Sequence, residues 1–120
     1  MKARQAVKIR QLGETLVAAG FRQLDEQARV LGLSRSTTWT ILHGNHKNTG
    51  LSASVIKRML AQPRLPALVR RKIREYVDEK SAGMYGHNPM QVRRFIAALS
   101  TLPPSELPRN SHSGRGLPDC

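Results

Sequence analysis

Cysteine is almost missing from this chain of 120 residues: the one present, Cys120, stands at the last position. No disulfide framework can form within the chain, and a zinc site lacks thiolates. A reducing, cytoplasmic setting is expected from this cysteine usage. Aromatic residues make up 4%, so the expected core is Leu, Ile, Val and Ala, a mix that suits small helices in close contact. Acids number 8 against 20 Lys and Arg, are scattered, and form no obvious catalytic pair. There is no glycine-rich phosphate loop before a helix and no nucleophile elbow. An enzyme or a cofactor site therefore has no residues to stand on. No apolar run approaches a membrane span. The first twenty residues, "MKARQAVKIRQLGETLVAAG", start basic but lack the continuous apolar stretch of a signal peptide. Neither strand alternation nor an internal repeat is visible.

Positive charge is what the chain has in excess. The formal net charge is +12, with an isoelectric point near 11.3. Solubility does not need so much, and self-repulsion destabilises the compact state. An excess of this size points to a polyanionic partner, nucleic acid before an acidic membrane surface.

Helical periodicity organises the chain from residue 1 to 102. Ala6, Ile9, Leu12, Leu16 and Ala19 recur at three- and four-residue spacing over about 3–19, with Gly20 as a stop. "LDEQARVL" at 24–31 reads as a short helix with acids in its first turn. Gly32 ends it. Ser34 caps a third helix, about 35–43. Ser52 caps a fourth, carrying Val55, Ile56, Met59 and Leu60 and closed by Pro63. Pro66 suits the first position of a fifth, about 66–80, with Val69, Ile73, Tyr76 and Val77 as its stripe. Arg71–Glu75 and Arg74–Asp78 are spaced to pair along it. After the break "SAGMYGH", Asn88-Pro89 opens a sixth, with Val92, Phe95, Ile96 and Leu99 on one side. The fold class is all-α, a bundle of five to six short helices. Residues 103–120 are rich in proline and poor in apolar side chains, and read as a disordered tail.

The stretch from Gln23 to Gly44, "QLDEQARVLGLSRSTTWTILHG", carries the functional signal. Ala28 lies four residues before Gly32 and lets two short helices cross closely. Gly32 can take the left-handed turn that a side chain would resist. Leu33 plugs the angle, and Ile41 and Leu42 tie the third helix down. Leu24, Ala28, Gly32, Leu33, Ser34, "SRSTT", Ile41, Leu42 and Gly44 together resemble the helix-turn-helix of lambda-repressor-like DNA-binding proteins, nearest in look to the lac-repressor-family headpiece and the phage Cro-like repressors. Three positions depart from that pattern. Gln23 stands where a Ser or Thr cap is usual, Gln27 where an aliphatic is, and Thr38 where Val or Ile is. Gln27 and Thr38 are expected to weaken the packing between the two helices.

The resemblance implies that the third helix enters the major groove of double-stranded DNA by its N-terminal end. Ser34 and the helix N-terminus suit a phosphate. Arg35 suits bidentate contact with guanine, and Ser36 and Thr40 a base edge or a thymine methyl. Thr37 points sideways, toward the backbone. Trp39 either lies near the groove or packs on the first or fourth helix. His43, His46 and Lys47 follow in a polar loop where related repressors grip the DNA backbone. His43 and His46 have no Cys or carboxylate nearby in sequence, so metal is not expected. Lys2, Arg4, Lys8 and Arg10 can follow a phosphate strand from the first helix, and Arg70–Arg74 forms a denser cluster or a solvated face. The resulting expectation is a sequence-specific transcriptional regulator, acting as a homodimer on paired half-sites. No small-molecule ligand or membrane partner is indicated. A helical protein-interaction adaptor of antitoxin type and a non-specific architectural DNA protein are the alternatives.

Overall fold

The computed structural model describes residues 2–43 and 51–103, with side chains from Arg4 onward. It holds six helices and no strand among the described residues: α1 (Lys2–Ala18), α2 (Leu24–Leu31), α3 (Arg35–His43), α4 (Ala53–Leu60), α5 (Ala67–Ser81) and α6 (Pro89–Ala98). The all-α class and each helix of the sequence reading are present. None of the described helices is long and apolar enough to cross a membrane. The tail expected beyond residue 103 lies outside the described residues.

The helix ends follow from local chemistry. Gly20 has φ +103°, and the N–H of Phe21 donates back to the Leu16 carbonyl at 2.9 Å, a left-handed stop closing the last turn of α1. Gly32, at φ +73°, does the same for α2, where the Leu33 N–H reaches the Ala28 carbonyl at 3.0 Å. A Cβ at Gly32 would also collide with the Gln62 side chain. Ser52 caps α4 by accepting from the Val55 N–H. Asn88 and Gln91 form a reciprocal capping box around Pro89. The C-terminus of α4 is capped from a distance: Arg70 donates to the carbonyls of Leu60 at 2.9 Å and Gln62 at 3.1 Å. That guanidinium has a structural task within the basic cluster.

Helix α1 lies along α5, and α2 packs on α3. The core is contributed by every helix, with Ile9, Leu12, Leu16, Leu31, Ile56, Met59, Val69, Ile73 and Leu99 nearly inaccessible. Ala6 and Ala19, placed on the apolar stripe by spacing, are exposed. An all-aliphatic core is also corrected: Tyr76, Tyr85 and Phe95 are buried. Tyr85 comes from the break after α5, a turn with two positive-φ glycines, Gly83 and Gly86, and stacks at a tilt on Tyr76 with ring centroids 5.2 Å apart.

A polar chain runs through this core. Tyr76 donates its hydroxyl to Gln5 Oε1 at 2.7 Å and accepts from the Leu51 N–H at 2.8 Å. The Leu51 carbonyl in turn accepts from Lys80 Nζ at 2.8 Å. The Lys80 ammonium also sits 4.5 Å from the centroid of Phe95, a favourable cation–π placement. Burial pushes Lys80 down to about 8.

Ionic contacts hold the α1–α5 seam. Lys8 pairs with Glu75 at 3.1 Å and Glu79 at 3.5 Å, and Arg4 with Glu79 at 3.5 Å. Glu75 is thus held by Lys8 and Lys72 rather than by Arg71, the partner its spacing suggested. Partial burial pushes its carboxyl up, but the Lys8 and Lys72 hydrogen bonds outweigh this and keep it below its ordinary value.

Two consequences can be measured. Tyr76→Phe keeps the ring but leaves the Leu51 N–H and Gln5 buried without a partner, and should cost about 1–3 kcal/mol in urea denaturation. Lys80 gives a pH signature. Its folded pKa lies below its unfolded one, so the folded chain releases this proton first and stability rises with pH through the window from about 8 to 10.5. Burial raises both Tyr76 and Tyr85, which reverses the trend above their ordinary pKa of 10.0. The Lys80 contribution between pH 7.5 and 9.5 is up to about 2 kcal/mol. Lys80→Met should flatten that rise in paired melts.

Candidate nucleic-acid interface

Helix α3 is short and polar, and its residues divide cleanly by side. Ser34 precedes it and is occupied by capping. Its Oγ accepts from the Thr37 N–H at 3.1 Å and donates to Thr37 Oγ1 at 2.8 Å. Thr38 is fully buried, and its hydroxyl donates to the Ser34 carbonyl at 2.8 Å. Ile41 is buried and Leu42 half-buried beside it. These three side chains seat the helix.

The two polar departures in the motif therefore do not loosen the packing. Thr38 buries its methyl while its hydroxyl finds an acceptor one turn back along its own helix. Gln27 is also buried, and its Nε2 donates to the Phe21 carbonyl at 2.8 Å. That bond ties α2 to the end of the α1–α2 turn. At the third departure, the Gln23 N–H donates to Glu26 Oε1 at 3.2 Å, the bond that the third helical residue makes back to the cap in a capping box.

The opposite side of α3 is open. Arg35, Ser36, Trp39, Thr40 and His43 are all exposed. At about 100° per residue they fill one arc of roughly 140°. Trp39, whose side was left open by the sequence, is 52% accessible, and its ring lies 5.8 Å from that of His43 one turn on. Thr37 is half-buried at the border of this arc, where Ser36, Thr40, Leu51, Ser52 and Val55 line a shallow groove between α3 and the start of α4. Leu51, at the floor of that groove, is the residue gripped by Tyr76 and Lys80.

Six of the expected contact positions are thus placed together: Arg35, Ser36, Trp39, Thr40 and His43 on the arc, with Thr37 at its edge. Ser34 lies at their head as a cap. His46 and Lys47 lie outside the described residues. The first helix contributes less than its sequence suggests, because Arg4 and Lys8 turn to α5. Arg10 is exposed and lines a second shallow groove with Gly13, Glu14, Val17, Gln27, Leu42 and His43, so it stands at the far end of α3.

One residue on this surface has no signal in sequence. Asp25, in the first turn of α2, pairs with Arg35 through Nε at 3.2 Å. The two are ten positions apart, and only the angle fixed at Gly32 and Leu33 brings them together. Compared with known proteins, the chain matches no family model, no curated protein and no solved structure.

The division of α3 into a seated and an open side has a simple test. Ser34→Ala should lower stability by about 1 kcal/mol through the lost cap. Trp39→Phe should change it by less than about 0.5 kcal/mol, as for surface positions. Iodide should quench Trp39 emission readily in the isolated protein.

Proposed function

We propose that this chain binds double-stranded DNA, with the open arc of α3 laid in the major groove. The observation that carries the reading is the arc itself. Its five side chains are a guanidinium, two hydroxyls, an indole and an imidazole, with no carboxylate among them. They stand on a helix whose opposite side is buried, in a chain of net charge +12. A short helix seated on a second one and presenting hydrogen-bonding side chains is the geometry that fits a major groove. The resemblance of residues 23–44 to lambda-repressor-like helix-turn-helix proteins supports the same docking.

In this reading Arg35, Ser36 and Thr40 meet base edges. Trp39 and His43 lie along the groove wall, and Arg10 and the start of α4 approach the flanking phosphates. One such helix spans only a few base pairs, so specific binding calls for two copies on paired half-sites. A regulator of transcription is the biological role that fits a small module reading base edges in this way. The exposed Trp39 also suits a protein partner, since large exposed aromatics often dominate such interfaces. Random-sequence duplex at low salt separates the two readings.

Selection from a random duplex pool should yield a preferred site with two half-sites. If about six phosphates are neutralised per bound unit, log K should fall against log salt with a slope of about −5. Arg35→Ala should cost roughly 1–3 kcal/mol on the preferred site and relax one base preference. A chain that leaves duplex DNA unshifted at low salt overturns the reading in favour of the adaptor.

A further inference from the structure

We infer that Asp25 sets the specificity of Arg35, turning it from a phosphate-seeking cation into a reader of guanine; this rests on the DNA reading above. The carboxylate of Asp25 and Arg35 Nε are 3.2 Å apart, and both side chains are about two-thirds exposed, at 66% and 69%. An exposed pair of this kind adds little to folding. Its consequence lies in what it does to the guanidinium.

Two effects follow from the chemistry. First, charge. Arg35 is the one Lys or Arg on α3, and a carboxylate beside it offsets its attraction for phosphate and repels a phosphate placed there. Guanine O6 and N7 are neutral acceptors and lose far less from that neighbour. Second, geometry. Asp25 engages the guanidinium through Nε, and the two terminal nitrogens remain as the parallel donors that meet O6 and N7 together. A guanidinium held at Nε also keeps less rotational freedom to lose on binding.

Glu14 lies at the far end of α3, in the groove with His43, and other acids of the fold are differently employed. Glu26 caps α2 through the Gln23 N–H, and Glu75 and Glu79 hold α1. Asp25 alone among the described acids is paired with a side chain of the open arc.

The test uses the full chain, its selected duplex and a random duplex, measured across salt for the parent, Asp25→Asn, Arg35→Ala and the double variant. With Asp25→Asn, random-duplex affinity should rise about 3–10-fold at low salt, and its salt slope should steepen by about 0.9, the value for one added phosphate contact. The ratio of selected to random affinity should fall, and the guanine preference at one position should weaken. In the Arg35→Ala background, Asp25→Asn should leave the ratio unchanged. An equal gain on both duplexes with an unaltered ratio overturns the inference and leaves DNA binding standing. A fall in the ratio that persists without Arg35 overturns it as well. A parent chain that binds neither duplex removes the DNA reading and this inference with it.

Discussion

The buried hydroxyl of Tyr76 is the interaction on which the arrangement of the helices depends. It joins Gln5 of α1 to the backbone N–H of Leu51, and Lys80, one turn further along α5, takes the carbonyl of the same residue. Leu51 stands just before the cap of α4 and at the floor of the groove beside α3. A backbone that enters the core there must have both its polar groups matched, because an unmatched one costs about 1–3 kcal/mol. One turn of α5 supplies both partners. The geometry of the α3–α4 groove is therefore fixed from α5, a helix that never reaches the open arc.

The distribution of charge follows from the same packing. Acids are scarce, and Glu75 and Glu79 are committed to the α1–α5 seam, where they neutralise Arg4, Lys8 and Lys72. Arg70 is committed to carbonyls at the end of α4. Much of the apparent basic excess of the first and fifth helices is thus internal. Among the described residues, the exposed arginines of the other surfaces include Arg10, Arg22, Arg29, Arg58, Arg64, Arg71, Arg74, Arg93 and Arg94. A field from charges spread in this way draws a polyanion from many directions and says little about orientation. In the proposed DNA complex, orientation comes instead from the shape and chemistry of α3.

The helices themselves were legible in the sequence because their ends are written in local chemistry. Gly20, Gly32, Ser34, Ser52 and Asn88-Pro89 each terminate or start a turn by a mechanism that needs no distant partner. The two sides of α3 were legible in part: Arg35, Ser36, Thr40, Ile41 and Leu42 fall where period and polarity agree, whereas the exposed Trp39 and the buried Thr38 do not follow from residue type. The contacts between helices were not legible. Tyr76 reads as one more apolar position on a stripe, and nothing in the spacing singles out Gln5 or Lys80, residue types that are mostly exposed. Tyr85 sits in a break between helices. Only the crossing of α1, α4 and α5 turns them into a buried network. Arg71–Glu75 illustrates the converse: its spacing suits a pair, yet Lys8 from another helix takes the carboxylate. Asp25 falls in the same class, a partner chosen by the angle at Gly32.

Thr38 connects these two levels. An aliphatic there would seat α3 by apolar contact alone. The threonine fills a similar volume but must also satisfy its hydroxyl, and it does so with the Ser34 carbonyl. The same Ser34 side chain caps the helix and holds Thr37. Seating, capping and the first turn of α3 are therefore one hydrogen-bonded unit at the end of the helix that carries Arg35. A short helix of modest intrinsic stability gains definition at the end where Arg35 stands. The hydroxyls that look idle in a core divide accordingly: Thr38 inward, Ser34 and Thr37 along the first turn, Ser36 and Thr40 outward. The polarity of α3 is then the condition for presenting one open face with a rigid beginning.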